Sequence, residues 1–230
     1  GHTIVEPKPM LVPICVKESC CCDMSGLSLK NVTLSLIDTA KNKPVYREQG
    51  EMLFTHFGLS GPLVLSASAH MRHFGSKSYR VEIDLKPALD EKKLYERIQR
   101  DFMESSRKLF SNALDKLLPK KMIPVLIART GIAPAKPVNQ LSREERMTVV
   151  RLMKQFSVRI DAIDDVKNAI VTAGGVCVRE VDPKTMESKL CRGLFFAGEV
   201  LDVDGYTGGF NLTIAFSTGY AAGSGTNKKE

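Results

Sequence analysis

The apolar residues of this chain change their spacing twice, and that double switch narrows the possible folds more than any other feature. In NVTLSLID, Val32, Leu34 and Leu36 alternate with polar neighbours; in YRVEIDL, Tyr79, Val81, Ile83 and Leu85 do the same. A period of two puts one row of side chains on the buried face of a sheet. From residue 88 the period lengthens: Leu94, Ile98 and Phe102 stand four apart, the spacing of one helix face. Asp90 is placed to cap that helix, and Ser142 with Glu145 reads as a capping box opening LSREERMTVVRLMKQF. After Phe156 strand character returns in FSVRID, NAIVTAGGVCVREVD and KLCRGLFFAG, with Asp182, Pro183 and Lys184 as a turn between late strands. The expected fold class is α+β, a β-rich region that closes into one sheet or barrel around an inserted helical subdomain. Residues 1–87 and 157–192 are its two β-rich parts, 88–156 the insert, and 193–230 a separate C-terminal strand, loop and helix. Within the first part, GEMLFTHFGLSGPLVLSAS reads as a strand, a glycine-rich turn and a short helix opened by Pro62.

Composition excludes several classes. No apolar run approaches 18 residues, and GHTIVEPKPM lacks the basic-then-apolar layout of a secretory signal, so a cytoplasmic protein with no membrane segment is expected. Three of the six cysteines adjoin in SCCCDMSG, a spacing that suits neither a disulfide framework nor zinc; the expectation is reduced thiols and no metal. The net charge of +7 is concentrated in residues 86–154, which hold 16 Lys and Arg against 8 Asp and Glu. Those charges alternate in sign at helical spacing, as on a solvated face, which disfavours nucleic acid as a partner.

The chemistry points to the C-terminus, GLFFAGEVLDVDGYTGGFNLTIAFSTGYAAG. Leu194, Phe195 and Phe196 are expected to form a short buried strand that the chain leaves through Gly198. Glu199 and Asp202 then stand at a strand end, where α/β folds bind ligands. Gly205, Gly208 and Gly209 permit positive φ and close backbone approach. A helix beginning at Gly209–Asn211 would aim unpaired N–H groups and its positive end at an electron-rich group such as a phosphate, a carboxylate or a flavin edge. A glycine-rich connection without a ligand is the competing reading. VTAGGV, with Gly174 and Gly175 adjacent, marks a bulge or a second point of close approach.

VTAGGV, EVDPKTMESKL and the C-terminal segment, with MLFTHFGLSGPLVLSAS and GHTIVEPKPMLVPI, closely resemble the BaiN/YhiN-type flavoprotein family, which includes aminoacetone oxidases and bile-acid-type reductases. The resemblance covers nearly the whole chain. It implies a protein whose N-terminal Rossmann half grips the ADP of FAD, followed by a barrel with a helical insert and a return to the FAD-binding domain, to which residues 193–230 would belong. On that mapping Gly198, Glu199 and Asp202 lie by the ribityl or pyrophosphate portion. Gly208, Gly209, Phe210 and Asn211 present backbone to the isoalloxazine, and Thr172 to Gly175 lie near the ring. No G-x-G-x-x-G follows a strand in this sequence. The chain is therefore expected to be a fragment, with FAD weakly held or absent without the Rossmann half.

The implied activity is hydride transfer between flavin and a small organic substrate, with NAD(P)H as a further partner and this chain inactive alone. The rival expectation is a cofactor-free interaction module whose basic helical face binds a protein or a polyanion. His56, within THFGLSGP, is the histidine candidate for catalysis, although a structural role suits it better. His2, His70 and His73 have no motif around them, and Tyr206 can face the flavin or pack. Without sheet partners, GLFFAGE is expected to be an exposed edge that supports self-association.

Overall fold

The computed structural model describes residues 1–71, 74–164 and 168–226. His73 lies outside them. In chain order the elements are β1 (Ile4–Met10), β2 (Ile14–Val16), α1 (Cys20–Asp23), β3 (Ser28–Asp38), β4 (Lys43–Phe54), β5 (Gly58–Ser60), α2 (Pro62–Ser68), β6 (Tyr79–Asp84), α3 (Glu91–Glu104), α4 (Met122–Thr130), α5 (Arg143–Lys154), β7 (Phe156–Ile163), β8 (Val171–Val176) and α6 (Phe210–Thr226). They group into two compact units, Ile14–Leu63 with His73–Ala162, and Gly1–Pro13 with Val64–Arg72 and Ile163–Glu230.

The first unit is a closed barrel of six strands in the order β2-β5-β4-β3-β6-β7. Its alternating residues point inward as the period of two requires: Leu34, Leu36, Val81, Ile83, Phe156 and Val158 are fully buried. Phe54 and Phe156 meet edge to face across the interior, their ring centroids 6.5 Å apart. The chain leaves the barrel after β6 and returns in β7, and these two strands pair antiparallel with Ile83 opposite Phe156. The helical insert thus joins two neighbouring strands.

Within the insert, Asp90 accepts a hydrogen bond from the Lys93 N–H and caps α3, whose buried face carries Leu94, Ile98 and Phe102. Burying each such side chain contributes about 2–3 kcal/mol, so the stripe outweighs any single cap. Ser142 and Glu145 form the full capping box of α5. Gly131, at φ +70°, ends α4 in the left-handed conformation that favours glycine. Both α3 and α4 pack on α5.

The second unit is built on a two-stranded antiparallel sheet in which β1 pairs with β8 from the far part of the chain, Ile4 opposite Val176 and Met10 opposite Val171. One apolar cluster, Met10, Leu11, Ala69, Val171 and Ala173, gathers about that sheet. Another joins Val176, Val181, Met186 and Leu201.

Two local expectations need correction. Residues 194–196 form no buried strand: Leu194 is 40% exposed, and the segment is held by one antiparallel bridge between Glu187 and Phe195. Its neighbour is the end of the Asp182 turn, where the Asp182 carboxylate accepts the Lys184 and Thr185 N–H groups. A turn offers no ladder on which a strand can extend. The glycine-rich stretch after β4 is also more than a turn, because Gly58–Ser60 forms β5 and pairs with both β2 and β4. A side chain at Gly58 would run into the Ile14 carbonyl, so the close pairing needs glycine there.

Candidate functional site

A cavity of about 430 Å³ opens in the second unit between the start of β8, the loop 198–209 and the first turns of α6. Small-molecule sites usually fall in this size range. Six of the ten sequence candidates line it: Thr172, Gly198, Glu199, Gly208, Gly209 and Asn211. Leu11, Val171, Val203, Ile214 and Ala215 supply an apolar wall.

The polar residues are fixed from within. Glu199 Oε1 accepts the Thr172 N–H at 2.6 Å and the Thr172 hydroxyl at 2.8 Å, tying the loop to the strand. The Gly198 N–H donates to Thr218 Oγ1 at 2.9 Å, which ties the same loop to α6. The Asn211 side chain clamps the glycine loop, accepting the Gly205 N–H at 2.8 Å and donating to the Gly205 carbonyl at 2.9 Å. Gly208 and Gly209 have φ of +109° and +90°, and among the described residues, its chain neighbours aside, no atom lies within 4 Å of the point where a Cβ on Gly209 would stand. Backbone is therefore presented bare to the cavity. The helix that follows runs 17 residues, and its first N–H groups lack partners within the helix.

The other four candidates lie off the cavity wall. Gly174 and Gly175, at φ +101° and +128°, face the chain's own backbone: a Cβ on Gly174 would stand 2.6 Å from the Glu6 carbonyl oxygen, and one on Gly175 would run into the Val200 carbonyl. Asp202 is engaged through its N–H, which donates to the Val176 carbonyl at 2.9 Å. Phe210 is 60% exposed, and Phe216 and Tyr220 leave the outer side of α6 apolar and open, whereas Leu212 lines the cavity.

One pair escaped the sequence reading. Tyr206 Oη lies 2.8 Å from His70 Nε2, and both line a second hollow of about 280 Å³ with Met10, Ala69, Asp204 and Gly205. Tyr206 also lines the main cavity. Nothing near His70 in the sequence signals this, since its partner is 136 residues away. Elsewhere, His2 is locked between Glu180 (3.0 Å) and the Ser188 hydroxyl (2.7 Å). His56 is exposed in the barrel unit, with its ring against Phe57.

Comparison with known proteins bears on this site. The family description "HI0933-like protein barrel and H2TH domain" matches residues 8–171. The chain is 31% identical, over 97% of its length, to a 3-dehydro-bile acid delta(4,6)-reductase of Clostridium scindens, of which it covers 54%. It is 32% identical to a ribosomal RNA dihydrouridine synthase of Haemophilus influenzae and 30% to one of Escherichia coli, each over 96% of this chain and 52% of the relative. It thus spans about half the length of the curated relatives it matches. Among the described residues, no helix is long and apolar enough to cross a membrane.

Proposed function

The chain belongs to the HI0933-like family, and from that premise we propose that it is the flavin-facing and substrate-side part of an FAD-dependent oxidoreductase. The observation that carries this reading is the cavity edged by Gly208, Gly209 and the start of α6. Bare backbone at positive φ, followed by helix N–H groups, suits the electron-rich edge of a flavin and would stabilise negative charge there. Glu199, already oriented by Thr172, is placed for hydroxyls of a ribityl chain. When bound, the flavin supplies the hydride donor or acceptor. The chain's own residues hold the ring edge, exclude water with the apolar wall and deliver a proton. Tyr206 Oη, backed by His70 Nε2, is the proton source for the substrate. The names of the relatives, a reductase and dihydrouridine synthases, support the reductive direction. The outer side of α6, with Phe216 and Tyr220, is the face on which the ADP-gripping half of the FAD domain would pack.

The test uses the full-length protein carrying this chain, purified and supplied with FAD. It should absorb near ~450 nm, as bound flavins do. Gly209→Val should weaken FAD retention at least about tenfold by filling the approach. Tyr206→Phe should retain FAD and lose roughly a hundredfold in substrate turnover. A full-length protein that stays colourless after FAD is added refutes the proposal.

A second reading concerns the substrate. The two dihydrouridine synthase relatives favour RNA over a small molecule, against the expectation set by the sign-alternating charge of the insert, whose excess of Lys and Arg is where such a partner would bind. Retention on a polyanion column should then fall steeply with salt, and more steeply than in a variant carrying Glu at the exposed Lys92, Arg100 and Lys120. Equal salt dependence in the two proteins would count against RNA.

A further inference from the structure

The motif MLFTHFGLSGPLVLSAS runs into α2, whose last turn carries two buried hydroxyls, Ser66 at 4% exposure and Ser68 at 6%. Ser68 is complete: its hydroxyl donates to the Leu65 carbonyl at 2.7 Å and accepts the Val12 N–H at 3.0 Å. Ser66 is served on one side only. Among the described residues its hydroxyl has one partner, Thr207 Oγ1 at 3.2 Å. Thr207 belongs to the glycine loop and lines the main cavity. The loop beside it is held separately, Gly205 by the Asn211 side chain and Tyr206 by His70. What Ser66 sets is therefore the Thr207 side chain, whose branched Cβ allows few rotamers.

The direction of that hydrogen bond follows from burial. A hydroxyl has one proton to donate and two lone pairs. If Thr207 donated, the Ser66 proton would be buried with no acceptor, a cost that buried polar groups avoid. If Ser66 donates, it is satisfied, and the Thr207 proton is left for whatever occupies the cavity. We propose that Ser66 is a positioning residue that makes the Thr207 O–H a hydrogen-bond donor to the bound ligand. On the flavin reading above, on which this assignment rests, the acceptor is a nitrogen or carbonyl oxygen at the flavin edge. A hydrogen bond to an acceptor that carries negative charge is roughly twice as strong as one to a neutral acceptor. Thr207 thus holds the reduced ring more tightly than the oxidised one, by about fivefold to tenfold.

The experiment measures the flavin midpoint potential of the full-length protein carrying this chain, by equilibration with a reference dye. Fivefold to tenfold corresponds to ~20–30 mV for two electrons. Thr207→Val should lower the potential by that amount, and Ser66→Ala should lower it in the same direction. The double variant should fall no further than Thr207→Val, and Thr207→Ser should restore the wild-type value. A Ser66→Ala potential equal to wild type overturns the proposal, since a merely structural role leaves the potential alone. Wild type that takes up no FAD refutes the flavin reading and this assignment with it. Wild type that binds FAD, with variants that keep its potential, refutes this assignment alone. A second readout needs no flavin. In the FAD-free protein Thr207→Val leaves the buried Ser66 proton without an acceptor, whereas Ser66→Ala leaves Thr207 in an open cavity where water serves it. Thr207→Val should therefore melt roughly 2–4 °C below Ser66→Ala. Equal melting, or the reverse order, would show that Ser66 is not the donor and also overturns the proposal. Should Thr207→Val fail to fold, the Ser66→Ala potential decides alone.

Discussion

Gly174→Ala separates two reasons for the glycine pair in VTAGGV. If glycine is there for a ligand, the substitution should leave the empty protein as stable as before. The structure gives a different reason. At φ +101° an alanine is strained by about 1–3 kcal/mol. Its Cβ would also stand 2.6 Å from the Glu6 carbonyl oxygen and 2.9 Å from that of Val5, inside any tolerated contact. Both oxygens belong to β1, where the pairing with β8 slips in register between Val5 and Lys8. Glycine lets the irregular strand sit down on its partner. Relieving the overlap adds about 1–2 kcal/mol, for a total near 3. In a chain of this size that lowers the melting temperature by roughly 6–12 °C. Because β1 is exposed along most of its length, part of the cost could appear as local detachment. Amide hydrogen exchange should therefore be followed with the melt, reading the Cys177 N–H bonded to the Thr3 carbonyl and the β1–β8 ladder. A melting temperature within about 2 °C of wild type, with β1 protection unchanged, would refute the reasoning.

Two further outcomes follow from local chemistry. Ser142→Ala removes one half of the α5 capping box and should cost about 1 kcal/mol, seen as a drop of roughly 2–4 °C in a thermal melt, while Ser142→Asp should recover most of it. Glu180 accepts the Thr3 hydroxyl at 2.6 Å, the Thr3 N–H at 2.9 Å and His2 Nδ1 at 3.0 Å, and these bonds, the Thr3 hydroxyl foremost, hold its carboxyl below the ordinary range. A depressed carboxylate pKa contributes stability above the unfolded value and loses it as pH falls through the folded one. The difference in melting temperature between wild type and Glu180→Gln should be full at about pH 7 and close as the pH drops below about 4. A difference that grows toward acid would show that Glu180 is not the group involved.

How much of this was legible depended on the range of the forces. Val81, Ile83, Leu94 and Ile98 declared their elements because periodicity is local, and Asp90 and Ser142 declared helix starts because capping spans three residues. The glycine loop was readable for the same reason, and Gly208 and Gly209 do face a cavity. What stayed hidden depends on distant neighbours. Gly174 looks the same in sequence whether it meets a ligand or the Glu6 carbonyl. Leu194, Phe195 and Phe196 have strand composition, but a strand needs a ladder, and among the described residues a single bridge forms. His70 and Tyr206 are joined by folding alone.

The pairing of β6 with β7 has a consequence for how such a chain can change over evolutionary time. Because Ile83 and Phe156 are neighbours, everything between them is, to the barrel, one oversized hairpin loop. Loop closure grows only with the logarithm of length, each doubling adding about 0.6 kcal/mol. Chain entropy thus sets little limit on the length of what is spliced there. The constraint lies in contact instead: Arg129 reaches the Ser157 carbonyl and the Phe156 ring, and Lys121 the Ser25 carbonyl, so surface charge and bulk can change at that port wherever these anchors are kept.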